Sequence, residues 1–150
     1  IFIEQQHQKV HKDAGEQRYS ALLGGLLARA CEEWRGWPEA VCAIPPTRGA
    51  AVRRGFDHTS ALARIVGVRL GVPTSVLLEA RSRDDQRALG RDARFANMAG
   101  AFAMLPDAIV PARVLLVDDV FTTGATFDGA ARALLAAGAR EVRVAAVARA

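Results

Sequence analysis

Two adjacent carboxylates, Asp118 and Asp119, follow an unbroken apolar run of Val114, Leu115, Leu116 and Val117, and a small hydroxyl-rich turn of Thr122, Thr123, Gly124, Ala125 and Thr126 comes directly after. Four branched aliphatics in a row fit a strand buried on both faces, and ligands of open α/β sheets bind at the carboxyl ends of such strands. Ionised carboxylates accept hydrogen bonds from vicinal sugar hydroxyls and attract Mg²⁺. The alanine-rich pattern from residue 125 to 137 predicts a helix whose N-terminus, with its unpaired amides, lies behind the turn and favours a phosphate dianion. One short segment thus holds donors for an anion and acceptors for hydroxyls, the two needs of a ribose 5-phosphate.

The rest of the chain must position that segment. At 150 residues and 51% hydrophobic, it is long enough for one domain with a real core. Residues 18–34 carry Tyr19, Leu22, Leu23, Leu26, Leu27 and Ala30 at spacings of three and four, the stripe of an amphipathic helix, with Trp34 and Trp37 expected to cap the core beneath it. Residues 41–44 read as a buried strand stopped by Pro45 and Pro46, and residues 47–54 as a basic loop. Helix 58–70 ends at Gly71 and Pro73, and strand 75–78 follows. From Glu79 to Asn97 the composition turns to charge, a solvated helix or a mobile loop. Strands 101–105 and 113–117, helix 125–137 with Gly138 as its stop, and strand 141–147 complete the order. Strands alternating with helices predict an α/β fold, a mainly parallel central sheet flanked by helices.

The formal charge of +4 comes from eighteen arginines and only Lys9 and Lys12 as lysines. Arginine forks suit phosphate in a nucleotide, a pyrophosphate or a nucleic-acid backbone. Cys31 and Cys42 form no Cys-x-x-Cys pair and have no histidine at zinc spacing, so both are expected as reduced, half-buried thiols. No apolar run approaches the roughly 18–20 residues that span a bilayer, and no signal peptide is evident, so the expected placement is cytoplasmic, without membrane insertion. The first residue is Ile1 rather than methionine, so a fragment or a processed or trimmed chain is expected. The absence of Gly-x-x-x-x-Gly-Lys-[Ser/Thr] argues against a P-loop, and the absence of a lysine downstream of the carboxylates argues against a receiver domain.

The thirteen residues from Val114 to Thr126 resemble the phosphoribosyl pyrophosphate (PRPP) signature of type I phosphoribosyltransferases, with Phe121 standing where that family prefers a smaller aliphatic. Further elements resemble the ComF family, the competence-associated phosphoribosyltransferase-like proteins. They are Lys12-Asp13-Ala14-Gly15; Arg53-Arg54-Gly55-Phe56-Asp57-His58, with Asp57 and His58 in place of two amides; and Arg81, Arg83, Gln86, Leu89, Arg91, Arg94 and Asn97 followed by Gly100-Ala101-Phe102. The resemblance implies a phosphoribosyltransferase domain over residues 18–150, with residues 1–17 an extension or the remnant of an upstream segment. Many ComF proteins begin with a cysteine-rich zinc module, of which this sequence has no trace.

In that family picture Asp118 and Asp119 hold the ribose hydroxyls and organise Mg²⁺, and Thr122, Thr123, Gly124, Ala125 and Thr126 cradle the 5-phosphate. Pro46 and Thr47 lie beside the pyrophosphate, and Arg81, Arg83 and Gln86 belong to a flexible charged hood. The reaction implied is transfer of the phosphoribosyl group to an unidentified nitrogenous acceptor with release of pyrophosphate. A non-catalytic competence protein that senses PRPP or nucleotides, or that contacts single-stranded DNA or other competence proteins, is the alternative, and a homodimer is an open assembly.

Overall fold

The computed structural model describes residues 5–46, 57–81 and 100–149. The elements follow in the expected order: α1 (Gln5–Ala30) with a 3₁₀ turn (Cys31–Trp34), β1 (Ala40–Ala43), α2 (His58–Leu70), β2 (Leu78–Ala80), β3 (Phe102–Met104), β4 (Arg113–Phe121), α3 (Ala125–Ala136) and β5 (Glu141–Arg149).

β1, β4 and β5 form a parallel sheet in that spatial order, with Ala43 beside Val117 and Asp118 beside Ala146. On its other side β1 touches Thr74 through a parallel bridge, held by Val41 N–H donating to the Pro73 carbonyl and Ser75 N–H to the Val41 carbonyl. The chain therefore leaves β1 through α2 towards one edge and leaves β4 through α3 towards the other. The crevice between the ends of β1 and β4 is a topological switch point, where doubly wound sheets bind ligands.

The alternation of β4 divides the core. Leu115 and Val117 face α1 and α2, with Leu27, Cys31, Leu62 and Val66; Val114 and Leu116 face α3 and the β2–β3 pair, with Phe102, Phe127 and Leu134. The four consecutive aliphatics Val114 to Val117 are fully buried, as a strand covered on both faces requires, whereas Val120, beyond the carboxylates, is exposed.

Several boundaries differ from the sequence reading. The strand expected over residues 75–78 is divided: Thr74 bridges β1, whereas Leu78–Ala80 pairs antiparallel with Phe102–Met104 in a separate two-stranded sheet. These strands bracket the charged segment, and Arg81 N–H donates to the Ala101 carbonyl at 2.9 Å, so its two ends are held side by side. Residues 82–99, and with them Arg83, Gln86, Leu89, Arg91, Arg94 and Asn97, lie outside the described residues, as do Thr47, Arg53 and Arg54.

The stripe expected to pack α1 into the core is the wrong one in part. Tyr19, Leu22 and Leu26 are 68%, 63% and 59% exposed, while Ser20, Gly24, Leu27 and Ala28 are buried and Leu23 is half-buried. The reason is close approach to α2. A Cβ on Gly24 would meet the Ile65 Cδ1 at 2.5 Å, so the glycine that looked like a weak point of the helix is where the helices touch. α2 keeps its expected limits because both ends are fixed: Asp57 caps its start and Gly71, at φ 74°, turns the chain off its end.

Candidate functional site

β4 runs past its buried half without a break, so Asp118 and Asp119 are its sixth and seventh residues rather than the start of a loop. Ile44 N–H donates to the Val117 carbonyl at 2.9 Å, which keeps β1 and β4 together up to the position where Asp118 and the Pro45-Pro46 pair diverge. Asp118 and Pro46 therefore leave neighbouring strand ends, on the two sides of the switch point.

Asp118 is half-buried, and its Oδ1 accepts the Asp119 backbone N–H at 2.8 Å. Burial pushes its carboxyl up to about 6; the neighbouring Asp119 side chain also raises it, while hydrogen bonds from the Asp119 amide and the Thr59 side chain pull the other way. A carboxylate held above its ordinary range beside a second acid gains from an arriving cation. Asp118 and Asp119 offer hard oxygen donors suited to Mg²⁺, which commonly takes one or two protein carboxylates and completes its shell from substrate and water. No group of three or more His, Cys, Asp or Glu is assembled as a metal cage among the described residues, and the two-carboxylate donor set fits that mode.

Thr59 did not stand out in the sequence. Its only signal was a hydroxyl just inside the predicted start of α2, a position that acquires meaning only once α2 is laid across the end of β4. Its neighbour His58 is anchored too: Nδ1 lies 2.7 Å from the hydroxyl of Ser20, a buried polar residue of α1. Asp57 accepts the Ser60 amide at 3.0 Å and also the Ser60 hydroxyl. The two residues that replace amides in the ComF-like stretch thus have structural work: one caps α2 and the other ties it to α1.

Beyond the carboxylates, Thr122, Thr123 and Gly124 carry the chain into α3, in which Ala125 and Thr126 are the first residues. Gly124 is the N-cap at φ 79°, and no side chain caps the helix. Thr123 Oγ1 accepts a long hydrogen bond from the Ala125 amide at 3.4 Å, and Asp128 N–H donates to the Gly124 carbonyl at 2.8 Å to begin the helical ladder. Phe121, the departure from the signature, packs its ring tip against this turn. A Cβ on Gly124 would stand 2.9 Å from its ring, and the ring stacks on Phe127 at 5.8 Å between centroids. The larger side chain is accommodated because position 124 has no side chain.

On the β1 side, Pro45 and Pro46 line a cavity of about 370 Å³ together with Asp57, Ser60 and Arg64 of α2's first turns and Val76. Arg81, at the mouth of the charged segment, is exposed. Trp34 and Trp37 pack against the core as expected, but they also hold Arg143: its guanidinium lies 5.5 Å from one ring centroid and 4.2 Å from the other. Both thiols are free and buried; burial, with Glu33 nearby, raises Cys31 to about 11, and burial raises Cys42, so neither is a ready nucleophile. Among the described residues no helix is long and apolar enough to cross a membrane.

Comparison with known proteins gives the same assignment. Residues 50–150 match the model of the phosphoribosyl transferase domain. The chain is 31% identical over 117 residues to competence protein F of Haemophilus influenzae, covering 75% of this chain and 51% of that protein. It is 26% identical over 133 residues to competence protein ComFC of Streptococcus pneumoniae, covering 89% and 57%. The chain therefore spans about half the length of the curated relatives it matches. Among solved structures it is similar to the glutamine PRPP amidotransferase of B. subtilis, with a TM-score of 0.57, 23% identity, and coverage of 86% of this chain and 25% of that one. It is also similar to orotate phosphoribosyltransferase of Aeropyrum pernix, with a TM-score of 0.54, 17% identity, and coverage of 99% and 78%. These two likenesses establish the type I phosphoribosyltransferase fold. With the family match and the two competence relatives, they make the chain a member of the phosphoribosyl transferase domain family, of the ComF kind.

Proposed function

We propose that this chain binds Mg²⁺-PRPP in the crevice between β1 and β4 and transfers the phosphoribosyl group to a nitrogenous acceptor. The observation that carries the reading is the juxtaposition of Asp118 and Asp119, at the switch point, with the open N-terminus of α3 three residues after Phe121. Asp118 and Asp119 accept the ribose 2- and 3-hydroxyls, and Thr59 holds Asp118 in register with α2. Thr122, Thr123 and the amides of Gly124, Ala125 and Thr126 receive the 5-phosphate. Pro46 and Thr47 border the pyrophosphate, with Arg81, Arg83 and Gln86 reaching it from the charged segment.

In the reaction the bond from C1 to the pyrophosphate oxygen breaks, a C1–N bond forms, pyrophosphate leaves, and the acceptor nitrogen gives up a proton. Nothing in this chain need attack the sugar, because the acceptor is the nucleophile. The residues position the ribose while charge develops on the departing group. Mg²⁺ held by Asp118 and Asp119 would neutralise part of that charge.

Titration calorimetry of the folded chain with PRPP, with and without Mg²⁺, tests the proposal. Binding that depends on Mg²⁺ and is lost in Asp118→Asn/Asp119→Asn is expected; a folded wild-type chain that binds no PRPP would overturn it. The names of the two curated relatives, both competence proteins, favour a second reading in which the basic surface contacts single-stranded DNA without catalysis. That reading requires DNA affinity that falls steeply with salt and survives the double substitution, whereas Arg81→Ala/Arg83→Ala weakens both ligands.

A further inference from the structure

β5 is nine residues long and, among the described residues, has a hydrogen-bonded neighbour on one side only, β4. Its other edge therefore presents a row of backbone donors and acceptors, the situation that natural sheets usually blunt with charge, proline or a bulge. β5 has no proline, and its central run of Val144, Ala145, Ala146, Val147 and Ala148 has no charge. Val144 is 37% exposed, and a groove of about 330 Å³ lined by Phe121, Phe127, Val144 and Ala148 runs along this half of the strand.

The three charges of β5, Glu141, Arg143 and Arg149, all stand at odd positions, which strand alternation directs to one face. Arg143 is taken up by Trp34 and Trp37 of its own chain. Glu141 accepts Trp37 Nε1–H at 3.1 Å through one oxygen, which leaves lone pairs for a cation. Arg149 lies over the Phe121 ring at 5.8 Å, at the other end of the strand.

This charge pattern is complementary to itself. In an antiparallel pair related by a two-fold axis perpendicular to the sheet, opposed residues share a face, so the axis must pass through a residue. With the axis at Arg143 that residue meets itself, and with the axis at Ala146 Arg143 meets Arg149, both like-charge contacts. With the axis at Ala145 all nine residues pair: Glu141 opposes Arg149 of the second copy at both ends, Arg143 opposes Val147, and Val144 opposes Ala146. Opposite charges placed directly across a strand pair are favourable and like charges unfavourable.

We infer that β5 is a homodimerisation edge, through which two copies pair antiparallel about Ala145 and join their sheets into one of six strands. The partner's strands then run in the opposite direction, so the two β1–β4 crevices lie at opposite ends of the joined sheet and both stay open. One strand pair is a small interface, so the dimer forms at micromolar or higher concentration rather than being permanent.

Sedimentation equilibrium of the 150-residue chain over a range of concentrations, with circular dichroism to verify folding, tests this. The wild type should show a reversible monomer–dimer equilibrium. Glu141→Arg and Arg149→Glu should each raise the dimer dissociation constant by about tenfold or more, because by symmetry each turns two attractive pairs into repulsive ones. The combined Glu141→Arg/Arg149→Glu exchange should restore the wild-type constant to within about threefold, since it rebuilds both pairs with the signs reversed. A wild type that remains monomeric up to about 1 mM, or a dimer that neither single reversal weakens, would overturn the inference. Hydrogen exchange supplies a second reading in the unsubstituted protein: β5 amides should become more protected as concentration rises, and unchanged protection in a sample shown to be dimeric would also overturn it.

Discussion

Two helices begin at the same end of the parallel sheet, and they begin differently. α2 opens with Asp57, whose carboxylate takes the Ser60 amide and hydroxyl, so the positive end of that helix is satisfied by its own chain. α3 opens with Gly124, which has no side chain to offer, and the hydrogen bond from the Ala125 amide to Thr123 Oγ1 is long, at 3.4 Å. The same backbone feature has been closed in one place and left available in the other. A helix start that serves as a joint takes an acidic cap; one intended for an external phosphate must not, because the cap would occupy the amides and repel the ligand. The difference also separates the two sides of the switch point: Thr59 of α2 hydrogen-bonds Asp118, while the start of α3 is where the proposed function puts the 5-phosphate.

The sharpest way to break this contrast is to give α3 the cap that α2 has. Gly124→Asp should weaken PRPP affinity by at least about tenfold, an effect of ~1.4 kcal/mol, as read by calorimetry; undiminished binding would mean that the phosphate lies elsewhere. Gly124→Ala separates strain from charge. The left-handed φ of 79° and the approach to the Phe121 ring at 2.9 Å should cost about 1–3 kcal/mol in denaturant unfolding. Placing the same substitution in a Phe121→Val background should recover the part due to the ring. On the other helix, Asp57→Ala should lose about 1 kcal/mol of stability while changing PRPP affinity less than about twofold, if its amides are for the chain alone.

The smallest effect concerns pH. Asp118 binds a proton more tightly in the folded chain, at about 6 against an ordinary 3.8, so the stability linked to that proton is full below 3.8 and is lost as pH rises through about 6. Without ligand, the wild type should lose up to about 1 kcal/mol relative to Asp118→Asn between pH 5 and 7, a figure discounted for the carboxyl's partial exposure. Parallel pH profiles of wild type and variant would contradict the assigned cause.

The element order was legible because β4 carries an unbroken apolar run from Val114 to Val117 and because the glycines at 71, 124 and 138 stand where the chain turns. The carboxylates and the hydroxyl turn were legible for the same reason: their chemistry is contiguous in sequence. Thr59 was not, since its contact with Asp118 exists only through the crossing of α2 over β4. The α1 face was misread because two helical stripes overlap on it. Hydrophobicity selects Tyr19, Leu22 and Leu26 together with Leu23 and Leu27, of which only the last two pack into the core; the close approach of α2 puts the small Gly24 and Ala28 beside them. A size criterion, rather than hydropathy, would have found the buried face.

The packing of Arg143 between Trp34 and Trp37 also decides what light can report. These are the only tryptophans in the sequence, and both belong to the corner where the 3₁₀ turn meets the first residues of β5. Intrinsic fluorescence is therefore a local gauge of that corner, sensitive to whatever displaces Arg143 or Glu141. Events among the carboxylates of β4 need a reporter placed there.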